Sequence, residues 1–204
     1  MSQFIEMFGN QDKNDREWAI AKIKDEFNLT MGKTPSRANH DYWVENGCKW
    51  VSIADMANYS KYTDETAEHI SQKAINECGL KAIEPNTIIM SFKLSIGRTA
   101  ITSERIYTNE AIMAFRDINE KKFDLDFLFF TLSTKNWLKY AKQAVKGATL
   151  NKESIGNSNI IVPPLSIQKE FATILQQADK SKSYGLLVID NLKNTLGYLI
   201  KQVA

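Results

Sequence analysis

Residues 160–175, Ile-Ile-Val-Pro-Pro-Leu-Ser-Ile-Gln-Lys-Glu-Phe-Ala-Thr-Ile-Leu, constrain this chain more than any other stretch. A short β-branched run ends in two prolines, and a helical apolar spacing begins at once. Proline cannot donate to a strand ladder but is accepted where a helix starts, so the strand must stop and a helix must begin here. The helical pattern runs to the last residue, with Phe171, Ile174, Leu175, Ala178, Leu186, Ile189, Leu192, Leu196, Leu199 and Val203 along one seam. No later segment remains to cover that seam, so a partner is expected on it. Taken as continuous from Ser166 to Val203, the helix would be about 55 Å long. Gly185 and Gly197 would weaken it locally, by about 1 kcal/mol each relative to alanine.

Upstream, SQFIEMFG at Ser2–Gly9 reads as the last turns of an apolar-faced helix stopped by glycine. A charged amphipathic segment lies near Trp18 to Phe27. From Gly32 to Trp50 the pattern is loop-like, with Gly32-Lys33-Thr34-Pro35-Ser36-Arg37, Asn39 and Asn46-Gly47 as turn formers. Strands are expected at Trp50–Ile53, Thr87–Phe92, Arg98–Thr102, Ala111–Phe115 and Asn159–Val162, and helices at Glu65–Cys78 and Phe127–Val145. The fold class that follows is α+β: a globular domain with a mixed β-sheet over residues 16–164, preceded by a helix end and linker (1–15) and followed by a long helix (165–204).

Composition excludes several classes. A hydrophobic content of 43% and a mean hydropathy of −0.34 describe a globular chain. No window approaches the roughly 18 to 20 unbroken apolar residues of a membrane span, and the N-terminus lacks a signal peptide's order, so a cytoplasmic location is expected. Cys48 and Cys78 have no CxxC spacing and read as ordinary reduced thiols. His40 and His69 have no ligand partners at metal spacing, so no metal site is expected. Phosphate-cradling GxxxxGK[ST] and GxGxxG motifs are absent, as is the hydrolase GxSxG. Val162-Pro163-Pro164-Leu165 is superficially similar to the Asn/Asp-Pro-Pro-aromatic motif of adenine methyltransferases. That chemistry needs a polar side chain and a stacking ring on the flipped base, and both positions here are aliphatic. No catalytic residue and no cofactor are expected.

Local clustering of cations is more informative than the net charge of +2. Lys135, Lys139, Lys142 and Lys146 recur at spacings that share one face of the expected Phe127–Val145 helix, with Trp137 on the opposite, core side. The face is either simply solvated or a contact for phosphates, which add affinity without sequence information. Three loops combine basic, small polar and aromatic residues: Lys33, Thr34, Ser36 and Arg37 near Tyr42-Trp43; Lys93, Ser95 and Arg98; and Thr149, Asn151 and Lys152. Each singly is an ordinary turn. Together they suit a face that offers donors to base edges and phosphates. Trp50, beginning an apolar run, reads as core.

The order and spacing of FIEMFG, GKTPSR with Tyr42-Trp43 and Gly47…Trp50, Ser95-Ile96-Gly97-Arg98, Gly147-Ala148-Thr149 and Ile161-Val162-Pro163-Pro164-Leu165…Gln168 resemble a target-recognition domain of the type I restriction–modification specificity subunit. The resemblance covers nearly the whole chain. It implies a tandem plan in which two recognition domains alternate with two long helices that pair antiparallel, and this chain holds half of that plan. FIEMFG resembles the terminal turns of such a helix. The expected protein is therefore a non-catalytic DNA-recognition half-subunit. It would homodimerise through Phe171, Ile174, Ala178, Ile189, Leu192, Leu196, Leu199 and Val203, and read a bipartite, inverted-repeat site in double-stranded DNA. By the same resemblance its partners are adenine methyltransferase subunits using S-adenosylmethionine, with ATP-dependent restriction subunits joining them. The rival reading is a truncated interaction module that pairs with full specificity subunits and reads no DNA.

Overall fold

A computed structural model describes residues 2–93, 95–140, 142–144 and 147–181. Lys146, Ile189, Leu192, Leu196, Leu199 and Val203, from the expected lysine face and helix seam, lie outside the described residues.

Helix α1 (Ser2–Phe8) ends at Gly9, whose φ of +72° closes the turn in the left-handed region that glycine alone enters freely. Strand β1 (Ala19–Lys22) and the single-turn helix α2 (Ile23–Glu26) follow, dividing the amphipathic segment expected near Trp18 to Phe27. Strand β2 (Asn28–Met31) leads into the loop that precedes β3 (Trp43–Val51). β3 is longer than the strand expected at Trp50–Ile53. Asn46-Gly47 falls inside it, at an irregularity between Trp43 and Cys48 where the register to β4 shifts. The strand stops at Val51 because Ser52 and Asp55 cap each other's backbone and start α3 (Ile53–Asn58).

The helix expected over Glu65–Cys78 is instead strand β4 (Glu68–Ile70) and helix α4 (Gln72–Cys78). Ser71 caps the N-terminus of α4 by accepting from the Ala74 amide, while Ile70 pairs with Cys48 of β3. Strands β5 (Ile88–Ser91), β6 (Thr99–Ile101), β7 (Tyr107–Thr108) and β8 (Ile112–Arg116) complete the body. The order β2-β8-β5-β6 forms one antiparallel sheet, and β4-β3-β7 a second sheet with β3 and β7 parallel.

Alternation along two central strands explains the core. Ile88 and Met90 of β5, with Met113 and Phe115 of β8, enter one cluster with Phe27, Phe123, Leu128 and Trp137. Ile89, Ile112 and Ala114 enter another with Val51, Met56 and Ile106 on the other face. A strand with period-two side chains buried on both sides reads as a continuous apolar run, as Ile88 to Met90 does before Ser91.

Helix α5 (Leu125–Thr134) is shorter than the Phe127–Val145 helix expected from sequence. The hydroxyls of Ser133 and Thr134 bond back to the Phe130 carbonyl, and the Trp137 indole N–H donates to the Leu132 carbonyl at 2.9 Å. These side chains take up the last carbonyls and end the helix. A 3-10 turn (Trp137–Tyr140) and the β9–β10 hairpin (Lys142–Ala144 and Gly147–Thr149) follow. Lys135, Lys139 and Lys142 therefore do not share a helical face.

Helix α6 (Lys152–Asn157) precedes β11 (Asn159–Val162), which pairs antiparallel with β1 from Ala19 opposite Val162 to Lys22 opposite Asn159. The two prolines then release the chain into helix α7, residues 165–181. The residues before and after the body thus meet on one side. There Phe4 and Phe8 of α1, Phe127 of α5, Ile161 and Phe171 pack together. The Phe8 and Phe171 rings lie edge-to-face at 5.3 Å.

Phe171 is fully buried in this aromatic cluster, so it is not part of a surface offered to a second copy. Helix α1, in the same chain, covers the start of the seam that the sequence left uncovered. Leu175 also packs against the cluster, Ile174 is half-buried and Ala178 is exposed.

Candidate nucleic-acid interface

The loop after β2 is held close to the body because Gly32 lies against β7. A Cβ on Gly32 would come within 2.0 Å of the Thr108 carbonyl oxygen, so only glycine fits. The Lys33 amide donates to that same carbonyl at 2.9 Å. Downstream, Pro35 is buried while Ser36 and Arg37 are exposed.

The side chains of Lys33, Thr34 and Arg37 each have a defined partner. The Lys33 ammonium donates to the Cys78 carbonyl at 2.9 Å, at the end of α4. The Thr34 hydroxyl donates to the Glu110 carboxylate at 2.5 Å, and that bond, followed by a backbone bond, lowers the Glu110 pKa. Ser36 accepts from the Trp43 indole through its carbonyl at 3.3 Å.

Arg37 bonds both oxygens of Glu68, with Nη2 to Oε2 at 2.9 Å. Its guanidinium lies 3.7 Å from the centre of the Trp43 ring, and Trp43 stands perpendicular to Trp50. The Glu68 bond raises the Arg37 pKa further. Arg37 is thus a stacked cation of fixed orientation on a rigid aromatic base. Trp50 is 2% exposed and donates its indole N–H to the Lys33 carbonyl, as expected of a core residue that also braces the loop.

The second loop is a compact turn. Gly97 adopts φ +86° and its amide donates to the Ser91 carbonyl, while the Ser91 amide donates to the Arg98 carbonyl at 2.9 Å. The Ser91 hydroxyl donates to the Ser95 carbonyl. Arg98 donates to the Ala57 carbonyl at 3.1 Å, and Lys93 is exposed. A Cβ on Gly97 would lie 3.0 Å from the Trp137 ring, so this turn sits against the 3-10 segment.

In the third loop, Thr149 belongs to β10. Asn151 caps α6 by accepting from the Ser154 amide at 2.8 Å, and Lys152 is exposed in the first turn of that helix. Lys33 and Lys152, from the first and third loops, line one pocket of about 380 Å³ together with Lys81. The second loop instead meets the Trp137 turn. Among the lysines expected on one helical face, Lys139 is exposed and Lys142 lies in β9. Lys135 is only 8% exposed, and its ammonium donates to the Asn159 carbonyl at 2.6 Å. Burial pulls its pKa down to about 8, against the raising effect of Asp12. Lys135 braces α5 against β11 and does not face outward for a phosphate.

Sequence reasoning missed Lys81, Glu68 and Glu110. Gly79, with φ +63°, ends α4 and could have signalled that Lys81 stands just past a helix end. Nothing in the local pattern announces that Glu68 or Glu110 would face the first loop, since both contacts span tens of residues.

A second group joins the domain body to α7. The Lys61 ammonium and the Asp126 carboxylate approach to 2.9 Å, and Gln176 of α7 donates to the same carboxylate at 3.5 Å. Burial is the largest single effect and opposes the charge on Lys61, but the bond to Asp126, its charge and those of Tyr62 and Asp179 together raise the pKa. Gln168, fully buried, accepts from the Asp124 amide and donates to the carbonyls of Lys122 and Pro163.

Residues 15–184 match the family described as type I restriction modification DNA specificity domain. The chain belongs to that family. It is 30% identical over 172 residues to the type I restriction enzyme MjaIX specificity subunit of Methanocaldococcus jannaschii, covering 82% of this chain and 39% of that protein. With the HindI specificity subunit of Haemophilus influenzae it shares 26% identity over 170 residues, 79% of this chain and 36% of the relative. The chain therefore spans less than half the length of these relatives. Among solved structures, the HsdS subunit from Thermoanaerobacter tengcongensis superposes with a TM-score of 0.62 at 16% identity, over 88% of this chain and 42% of that one. The type I S subunit from M. genitalium gives 0.57 at 13% identity, over 80% and 39%. These likenesses establish the α+β specificity-subunit fold.

Among the described residues no group of three or more His, Cys, Asp or Glu is placed to hold a metal ion, and no helix is long and apolar enough to cross a membrane.

Proposed function

We propose that this chain is a non-catalytic, cytoplasmic DNA-recognition subunit of a type I restriction–modification system. The observation that carries the reading is the specificity-domain match over residues 15–184. The fixed cations and small donors of the three loops support it, because preorganised Arg, Lys, Ser and Thr groups suit base edges and phosphates. Lys33, Thr34, Ser36, Arg37, Lys93, Ser95, Arg98, Thr149, Asn151 and Lys152 contact DNA, with Lys139, Lys142 and Lys146 as supporting cations. Several of these groups already hold protein partners, Arg37 with Glu68 and Thr34 with Glu110, so they reach DNA as oriented groups or after exchanging those bonds.

The chain dimerises through the C-terminal apolar seam read from the sequence, and the two-fold pair reads two inverted half-sites separated by a spacer. Phe171 is excluded from that interface by its burial; Ile174, Ala178, Ile189, Leu192, Leu196, Leu199 and Val203 remain. The assembled dimer recruits adenine methyltransferase subunits that use S-adenosylmethionine, and ATP-dependent restriction subunits. Neither cofactor binds this chain.

Light scattering on the purified chain tests the assembly. The expected result is a dimer at tens of micromolar that Leu192→Glu converts to monomer. A strict monomer, unchanged by that substitution, refutes it. Assembly with a longer specificity subunit, with no change in its target preference, would support instead an interaction module that reads no DNA.

A further inference from the structure

We propose that Lys33, Lys81 and Lys152 form a clamp for the phosphodiester backbone of duplex DNA, seated on the pocket beside β2, β7 and the end of α4. The inference rests on the DNA-reading function proposed above and names where its sequence-independent affinity originates.

The pocket, of about 380 Å³, is lined by these three lysines and by no carboxylate. The lysines come from distant parts of the chain: the turn after β2, the segment after α4 and the first turn of α6. What sets these three apart from the other cations without an ion pair is their convergence on one concavity. Arg37, Lys49, Lys61, Lys73, Arg105 and Lys122 are each paired with a carboxylate. Among the described residues, Lys33, Lys81 and Lys152 make no ion pair. Lys33 spends one N–H on the Cys78 carbonyl, which fixes the ammonium while leaving two donors.

Three like charges around one concavity repel each other, and an anion between them removes that cost. Leu29 and Tyr107 line the pocket but are only 4% and 7% exposed, so the lysines carry the contact to the bound strand. The Thr108 hydroxyl on the same wall is buried and has no hydrogen-bond partner among the described residues, so the wall also holds an unmet polar group. The close approach of Gly32 to Thr108 is what carries Lys33 over this pocket.

The test uses the full chain with short labelled duplexes, one carrying its selected target and one of unrelated sequence, titrated at several salt concentrations. Lys33→Gln, Lys81→Gln and Lys152→Gln are each expected to weaken both duplexes by the same factor. Each should lower the slope of log affinity against log salt by about 0.9, so the gap to wild type narrows about 3.5-fold between roughly 50 and 200 mM salt. Unchanged affinity in all three variants, with thermal unfolding unchanged, would overturn the clamp. So would a loss confined to the selected duplex, which marks base reading. Micromolar binding of free dAMP that the triple variant abolishes would assign the pocket to a mononucleotide and likewise overturn it. Failure of the wild-type chain to hold either duplex would instead bring down the DNA-reading function itself.

Discussion

Replacing Gln168 by leucine probes the joint between the recognition domain and its helix. The side chain is fully buried and makes three bonds: its Oε1 accepts from the Asp124 amide at 2.9 Å, and its Nε2 donates to the Lys122 carbonyl at 2.9 Å and the Pro163 carbonyl at 2.7 Å. Asp124 in turn caps α5 by accepting from the amides of Asp126 and Phe127. One glutamine therefore ties the α5 cap, the preceding loop and the diproline stop to the first turn of α7. Leucine is near in size but leaves all three backbone groups without this partner. At about 1 kcal/mol per net bond, and more where a buried group stays unpaired, the loss is about 3 kcal/mol. Pro163 is buried and sets the larger share; Lys122 and Asp124 are half-buried and recover some hydration. For a chain of this size that corresponds to a fall in Tm of roughly 6–12 °C. Circular dichroism melting of wild type and Gln168→Leu measures it. A shift under about 2 °C, less than 1 kcal/mol on that scale, would refute the reasoning that this side chain holds the joint.

Further outcomes follow from other contacts. Phe171→Ala should destabilise the chain by about 3–5 kcal/mol in denaturant melts at concentrations where association is constant, because the ring fills an intrachain cluster; a changed dimer constant with unchanged stability would contradict this. Lys135 has a pKa near 8 in the folded chain against an ordinary value of 10.5, so between those pH values the unfolded state binds the extra proton and stability rises with pH. Chemical denaturation should show that rise in wild type and lose it in Lys135→Met. Arg37→Ala should cost about 1–3 kcal/mol of discrimination between selected and unrelated duplexes in competition binding, if its stacked guanidinium reads a base. An equal loss on both would make it a backbone contact.

The diproline stop, the strand before it and the helix after it were legible because proline chemistry is local: β11 spans the expected Asn159–Val162, and the chain is helical from 165. The β5 and β8 strands were also legible, their apolar runs showing burial on both faces, and the short β6 was legible from its β-branched residues beside the Gly97 turn. The helix end at Gly9 followed from a left-handed stop. What could not be read was set by distant partners. Ser71 splits the segment expected as one helix over Glu65–Cys78, because its hydroxyl caps α4 while Ile70 pairs with β3. Trp137 and Lys135 break the second long helix through bonds to Leu132 and Asn159. The lysine face failed for that reason: a spacing of four and three residues implies one face only while the helix lasts. At the candidate interface, the sequence located the three cationic loops but not the order imposed on them. Arg37 is fixed by Glu68, and Lys33 meets Lys152 only through the approach of Gly32 to β7 and the position of α6 beside β2.

Selection from a random duplex pool, using this chain assembled with its methyltransferase subunit, tests the central claim most directly. The predicted result is enrichment of one short sequence repeated in inverted orientation about a fixed spacer. Retention of duplexes with no sequence preference would contradict it.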